Sequence, residues 1–378
     1  MRSSDTRTPD AFEMLAGLRS WVEVESQTAD VEGVNAVMSL AAQAFAAAGA
    51  RVIRIAGRDG AGDHLSISSP WGGEGPGVLI LCHLDTVHPR GTLGKELPFR
   101  IDGDRAYGPG IYDMKGGVYI ALQAYRSIVA AGATTPLPLR FLIVSDEETG
   151  SRTSRAHIET AAENARYVLV TEPARSGGKV VTARKGVARY EIRTRGRPAH
   201  AGGAHKDGRS AILELARQVV AIEAMTDYAK GVTLNVGQMR GGTADNVVPE
   251  HAWAAIDMRI TSMEDAAAMD RRLMGLRSHN PDVTVEVTGG LNRPPFEKSN
   301  AIASLFEHAR GLAREIGIDL QDMHTGGGSD GNFTAHTVAT LDGLGVDGAG
   351  AHTHDEHLLI SSLVPRMLLQ KRLFETLR

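Results

Sequence analysis

A single cysteine, Cys82, stands in 378 residues, so no intrachain disulfide can form and a disulfide-stapled scaffold is excluded. No run approaches the roughly 18 apolar residues that a membrane-spanning helix needs. The opening residues Met1-Arg2-Ser3-Ser4-Asp5-Thr6 lead into no apolar segment of the secretory kind, and the cytoplasm is the expected location. Net charge is −4 and basic residues form no block, so neither nucleic acid nor a membrane surface is expected as a partner. Internal repeats and low-complexity tracts are missing. No Gly-x-Gly-x-x-Gly is expected to follow a strand, which speaks against a nucleotide-binding α/β protein.

What is present is an ordinary globular mixture, 42% hydrophobic and 23% charged, in a chain too long for one usual core. Two domains are therefore expected. The 43 glycines exceed the usual share of roughly 7%, and many lie in loops beside the candidate site residues described next.

Three stretches organise the chain: Leu79-Ile80-Leu81-Cys82-His83-Leu84-Asp85, Ile143-Val144-Ser145-Asp146-Glu147-Glu148 and Tyr167-Val168-Leu169-Val170-Thr171-Glu172. Each is a short apolar run followed at once by histidine or carboxylates. Such runs suit strands buried on both faces, and open α/β sheets gather function at the carboxyl ends of their strands. Between them, Met114 to Ala130 reads as a helix with Asp113 at or just before its N-terminus, where free N–H groups and the dipole favour a carboxylate. Helical patterns at 11–24, 34–48 and 153–162 alternate with strand patterns at 51–55, 64–68, 78–82, 139–144 and 167–171. A mostly parallel mixed sheet flanked by helices follows.

The pattern changes near Val181. Ala188, Tyr190, Ile192 and Thr194 alternate with Arg189, Glu191, Arg193 and Arg195, the period of a strand wet on one face. A helix at 209–225, strands at 232–239 and 252–260, a helix at 263–277 and a strand at 283–287 complete a β-α-β-β-α-β order. That order suits an inserted ferredoxin-like α+β domain over 182–294, with Leu291 to Pro295 as return linker. Residues 1–181 and 295–378 would form the other domain.

His83, Asp85, Asp113, Glu147, Glu148 and Glu172 would then share one crevice. Carboxylates clustered at low dielectric are costly without a cation. Two divalent ions carry the charge that three carboxylate ligands and one hydroxide balance, and a histidine–carboxylate set with an open position suits catalytic zinc, with manganese or cobalt tolerated. Taken singly, each residue has a plainer role, as a surface histidine, a solvated loop acid or a helix cap. Their joint placement at strand ends raises the metal reading above those.

His83-Leu84-Asp85, the run Gly108 to Gly117, Asp146-Glu147-Glu148, Glu172-Pro173 and a late His352 resemble the two-zinc aminoacylase/carboxypeptidase family of metallopeptidases. Thr325-Gly326-Gly327-Gly328-Ser329-Asp330 and Gly196 to Gly202 make the glutamate carboxypeptidase branch the nearest. The resemblance implies a catalytic domain interrupted by a dimerising lid, hence a homodimer. It implies a hydrolase that releases a C-terminal amino acid, glutamate-like residues favoured, from an N-acyl or short peptide substrate. A deacylase, dipeptidase or desuccinylase on the same scaffold is the alternative, and a non-catalytic metal-binding protein a further one. By the resemblance His83 and Glu172 would bind one zinc, Glu148 and His352 the other, and Asp113 would bridge them. Asp85 would orient His83 through its far nitrogen. Glu147 would act as general base toward a metal-activated hydroxide. His354 and His357 are the rivals of His352. His200 would stabilise the oxyanion across the dimer, Arg259 would clamp the substrate carboxylate, and Asn246 and Gly327 would complete the substrate contacts, although a turn-forming asparagine and a flexible loop are their plainer roles. Cys82, where the family often has a small residue, is expected to be buried and inert.

Overall fold

A computed structural model describes residues 10–378, and its contacts fall into two units. One comprises the chain up to Ala183, then Lys298–His324 and Ser329–Arg378; the other comprises Arg184–Glu297 and Thr325–Gly328.

The first unit opens with α1 (Ala11–Val22), whose start is closed by a capping box between Asp10 and Glu13. Helix α2 (Val31–Ala47) is capped by Asp30, and Gly49 follows it at φ +80°, a left-handed conformation that suits glycine. Then come β1 (Arg51–Ile55), β2 (His64–Ser68), β3 (Gly77–His83), β4 (Arg100–Asp102), β5 (Arg105–Tyr107), α3 (Gly116–Ala130), β6 (Leu139–Val144), α4 (Arg155–Glu163), β7 (Ala165–Val170) and β8 (Val180–Arg184). A later strand, Ala339–Leu341, joins the main six-stranded sheet beside β7, and the rest run in the order β1-β2-β6-β3-β7. Strands β6, β3 and β7 are parallel neighbours while β1 and β2 are antiparallel, so the sheet is mixed. Every residue of β3 is buried. Val78, Ile80 and Cys82 face one apolar layer, and Leu79 and Leu81 face a second layer with Ile158, Val170 and Phe333. Burial on both faces explains the unbroken apolar run.

The second unit contains β9 (Gly186–Arg195), α5 (Ala211–Glu223), β10 (Thr233–Gly241), β11 (His251–Ile260), α6 (Met263–Met274) and β12 (Thr284–Arg293). The sheet is antiparallel in the order β10-β11-β9-β12. Its even-numbered β9 and β11 residues, among them Tyr190, Ile192, Ala254 and Ile256, pack with Leu215 and Ile222 of α5 and Leu273 of α6. One expectation fails here: Leu291 to Arg293 is no linker but the end of β12, paired with β9 as far as Val187. Returning to the first unit, the chain forms α7 (Asn300–Glu315), β13 (Asp322–Thr325), β14 (Ala339–Leu341), β15 (Gly348–Ala349), β16 (His357–Leu359) and α8 (Leu363–Thr376). A second expectation fails as well. Gly326, Gly328 and Gly331 follow β13, and Gly343, Gly345 and Gly348 follow β14, both with Gly-x-Gly-x-x-Gly spacing. Neither opens an α-helix: the first meets a 3-10 turn at Asp330–Phe333 and the second meets β15, so the dinucleotide arrangement is not built.

Helix α3 starts against the end of β7. A Cβ on Gly117 would lie 2.0 Å from the Thr171 carbonyl oxygen, a backbone atom that cannot yield. Gly117→Ala is expected to lower the thermal midpoint by several degrees or prevent folding, because overpacking typically costs about 1–3 kcal/mol; a calorimetric scan measures it. In the second unit, Glu214 is buried and accepts from Gln218 Nε2 at 2.8 Å, His279 Nδ1 at 2.9 Å and His279 N at 3.1 Å. Burial alone would raise its pKa, but the bonds from His279 and Gln218 outweigh it and hold it at about 2. A depressed carboxyl stabilises the fold above its unfolded pKa, and that contribution is lost as pH falls from about 4.5 toward about 2. Glu214→Gln should therefore cost about 2 kcal/mol at pH 7, with the gap to wild type closing across that acid window in urea titrations.

Candidate metal centre and substrate contacts

Three adjacent parallel strands deliver the first donors. His83 ends β3, Glu147 and Glu148 lie in a 3-10 turn (Glu147–Thr149) after β6, and Glu172 follows β7. His83 is buried, and its Nδ1 lies 3.0 Å from the Asp85 main-chain carbonyl and 3.4 Å from Asp85 Oδ1. The bond to the carbonyl oxygen requires a proton on Nδ1, so the neutral ring turns its Nε2 lone pair inward. That nitrogen stands 3.4 Å from Asp113 Oδ1 and 3.5 Å from Glu172 Oε1. On the other side, His352 Nε2 stands 3.5 Å from Asp113 Oδ2 and 3.0 Å from Glu148 Oε2. The two oxygens of Asp113 thus face two histidines, one each.

This arrangement fits cations. Two ligand atoms bound at about 2.1 Å to one tetrahedral ion stand about 3.4 Å apart, as these donors do. His83 Nε2, Asp113 Oδ1 and Glu148 Oε1 are buried and make no hydrogen bond, a costly state unless a ligand satisfies them. Ligand atoms of His83, Asp113 and Glu148 lie within 4.8 Å of one another, as do those of His83, Glu147 and Glu172. The protonation pattern states the same demand for positive charge. Burial pushes the Glu148 carboxyl up to about 7. Asp113 and Glu148 raise His352 to about 11. At His83 burial works downward, but Asp113, Asp85 and Glu172 outweigh it and raise it well above the usual imidazole range. Burial raises Asp113, yet His352 and His83 outweigh it and hold it below the usual carboxylate range.

The Asp85 carboxylate has closer partners than His83. It accepts from Thr28 Oγ1 at 2.7 Å and from the backbone N–H groups of Glu147 and Glu148, each at 3.2 Å, so it also ties the turn after β6 to the end of β3. Asp113 stands further ahead of the helix than the expected start at Met114 implies. It sits in a single turn, Ile111–Lys115, with φ −117° and ψ 94°, and α3 begins only at Gly116. The amides there are taken by Glu356, a buried residue that the sequence reading missed. Glu356 accepts from Tyr112 N and Asp113 N at 2.9 Å and from Gly110 N at 3.0 Å, and its Oε2 lies 2.6 Å from His88 Nε2. Its place four residues after His352 was the only signal. Lys115, fully buried, donates to the Val24 carbonyl at 2.7 Å; burial pushes it down to about 7 against the pull of Glu356 and Glu25. Strand β16 pairs with both β15 and β5, so the His352 turn and the Asp113 loop leave one small sheet. His352 takes φ +65°, an uncommon conformation for a side-chain-bearing residue. Of its rivals, His357 turns Nδ1 to the Asp355 carbonyl and packs on Tyr107.

The remaining candidates belong to the second unit. His200 Nδ1 accepts from Gly202 N at 3.1 Å and Gly203 N at 3.0 Å, so the neutral ring carries its proton on Nε2 as a donor. Asn246 is exposed, and its main-chain carbonyl accepts from Ala201 N at 2.9 Å beside the bridge of His200 with Val247. Arg259 grips Asp257 through Nε at 2.7 Å and Nη2 at 3.1 Å. Gly327 is exposed and its carbonyl accepts from Arg184 Nη1 at 3.1 Å. Cys82 is buried, as expected, and burial pushes its thiol up to about 12.

Glu356→Gln removes a charge that accepts four bonds, each worth about 1.5–3 kcal/mol when the acceptor is ionised. The variant is expected to melt several degrees lower and to hold less metal per chain than wild type; calorimetry and elemental analysis read the two effects separately.

The chain is 31% identical over 363 residues to carboxypeptidase G2 of a Pseudomonas species, a match covering 94% of this chain and 86% of that protein. It is 29% identical over 328 residues to succinyl-diaminopimelate desuccinylase of Burkholderia multivorans, covering 81% and 84%. A metallo-carboxypeptidase from Sulfolobus solfataricus superposes with a TM-score of 0.73 at 16% identity, over 96% of this chain and 98% of that one, and shares the fold. The model of Peptidase family M20/M25/M40 matches residues 79–376, and with donors for metal gathered at the ends of its parallel strands, the chain belongs to that family as a metal-dependent peptidase and amidohydrolase.

Proposed function

We propose that the protein releases a C-terminal amino acid, glutamate-like residues favoured, from an N-acyl or short peptide substrate, with two zinc ions per chain. His83 and Glu172 would hold one ion, Glu148 and His352 the other, and Asp113 would bridge them; manganese or cobalt suits the same donors. The observation that carries the reading is the Asp113 carboxylate, with its two oxygens 3.4 and 3.5 Å from two different histidines. When bound, such ions polarise a scissile carbonyl and lower the pKa of water to about 7. Glu147 would take the proton of the attacking water and pass it to the leaving nitrogen. The bond from its backbone N–H to Asp85 at 3.2 Å supports a fixed position for that base. His200, with its proton on Nε2, would donate to the oxyanion of the tetrahedral substrate, from the partner subunit of a homodimer; such a donor is worth about 3 kcal/mol. Arg259 would clamp the C-terminal carboxylate, and Asn246 and the Gly327 backbone would add polar contacts.

The names of the relatives frame the choice of substrate. Carboxypeptidase G2 favours release of a C-terminal residue, whereas the desuccinylase favours removal of an acyl group, so a deacylase or dipeptidase is the second reading. No described helix is long and apolar enough to cross a membrane.

Glu147→Gln should lower turnover of an N-acyl glutamate by about a thousandfold while elemental analysis still finds about two metals per chain. Chelation should abolish wild-type activity, and added zinc should restore it. Turnover retained in Glu147→Gln would remove the base from this scheme, and wild-type protein that binds a single ion would remove the bridge.

A further inference from the structure

Arg259 and Asp257 lie two residues apart on β11, so both side chains leave the same face of the sheet. That face is the one opposite the packed helices, since Ile256, Met258 and Ile260 are buried on the other side. Asp257 accepts from Arg259 through two atoms of one guanidinium edge, Nε at 2.7 Å and Nη2 at 3.1 Å. A guanidinium has five N–H groups and two edges suited to paired acceptance by a carboxylate. The Nε/Nη2 edge is filled by the chain itself. Nη1 has no hydrogen-bond partner among the described residues, so the Nη1/Nη2 edge is the one on offer.

From this geometry we infer that Asp257 is a positioning residue: it holds Arg259 by one edge and presents the other to the carboxylate of the substrate. The inference rests on the reading of Arg259 as the carboxylate clamp. An arginine otherwise brings many rotamers, and ordering them on binding weakens affinity. The second strand of the pair strengthens the case. Arg189 on β9 stands directly opposite Asp257 in the register, so the row keeps a positive charge after Asp257 has been offset by Arg259. Asp257 also sits on a ten-residue strand paired on both sides, with Asn235 of β10 as its other neighbour, which fixes its own backbone.

The test compares wild type, Asp257→Asn, Asp257→Glu, Arg259→Ala and the double variant Asp257→Asn/Arg259→Ala on N-benzoyl-L-glutamate, with melting curves to verify folding. Asp257→Asn is expected to raise KM about five- to tenfold, the scale of one long side chain left to be ordered by the substrate, with kcat within about twofold. Asp257→Glu, which keeps a carboxylate, should recover part of the loss. In the Arg259→Ala background Asp257→Asn should change KM little, because the group it orients is gone. An unchanged or lower KM in folded Asp257→Asn, or the same rise in both backgrounds, would overturn the positioning role. A KM that Arg259→Ala leaves unaltered would instead remove the clamp itself, which separates the two claims.

Discussion

Mutual repulsion among buried acids is the constraint from which the rest of the first unit's metal centre follows. Asp113, Glu148 and Glu172 are nearly devoid of solvent contact, and water cannot screen charges placed there. Positive charge has to enter with them. In the protein alone the same need shows as an upward push, by neighbouring carboxylates on His83 and His352 and by burial on Glu148. Divalent cations meet it with more charge in less space, and the unbonded Nε2 of His83 and Oδ1 of Asp113 are what such ions would satisfy. The centre is therefore costly as a piece of folding and valuable as a binding site, the usual relation between local strain and function.

Donors that repel one another need a scaffold that resists their separation. Asp85 holds the amides of Glu147 and Glu148, Glu356 holds those of Gly110, Tyr112 and Asp113, and β16 joins the His352 turn to β5. Each is a link between segments distant in sequence, and each ends on a backbone N–H, which has fewer ways to move than a side chain. Close packing of α3 on β7 through Gly117 completes the frame. Carboxylates thus appear in two roles in one small volume: Asp85 and Glu356, bonded to amides, hold position, and Asp113, Glu148 and Glu172 face the Nε2 atoms of His83 and His352.

How far the sequence revealed this depends on the range of the interaction. Strands β3, β6 and β7 were legible because burial on both faces writes a continuous apolar run, and the residue after each run was then assigned to the crevice from topology alone. The β-α-β-β-α-β order of the second unit was legible from alternation along β9 and β11. Boundaries were less so. Thr288-Gly289-Gly290 breaks the alternation in β12, so the strand was ended early although pairing with β9 continues to Arg293. Two glycine spacings after β13 and β14 escaped notice because glycine serves tight turns and dinucleotide loops alike. The start of α3 was set at Met114 because helical periodicity runs back that far, whereas the backbone at Asp113 and Met114 is not helical and the helix begins at Gly116. Glu356 was invisible for a different reason: its partners lie some 240 positions away, and nothing in local pattern marks a carboxylate that caps a remote turn.

The second unit solves a milder problem by a similar device. Arg259 stands on the open face of its sheet and His200 in the loop after β9, where solvent screens charge and the difficulty is freedom of movement rather than repulsion. Neighbouring groups restrict that freedom: two glycine amides select the His200 tautomer, and Asp257 aligns the Arg259 guanidinium. A donor already turned to its working direction loses less on meeting an anion than one that has to be ordered first. In the buried centre amides restrain carboxylates against their own charge, and in the second unit amides and a carboxylate restrain a histidine and an arginine against their own entropy.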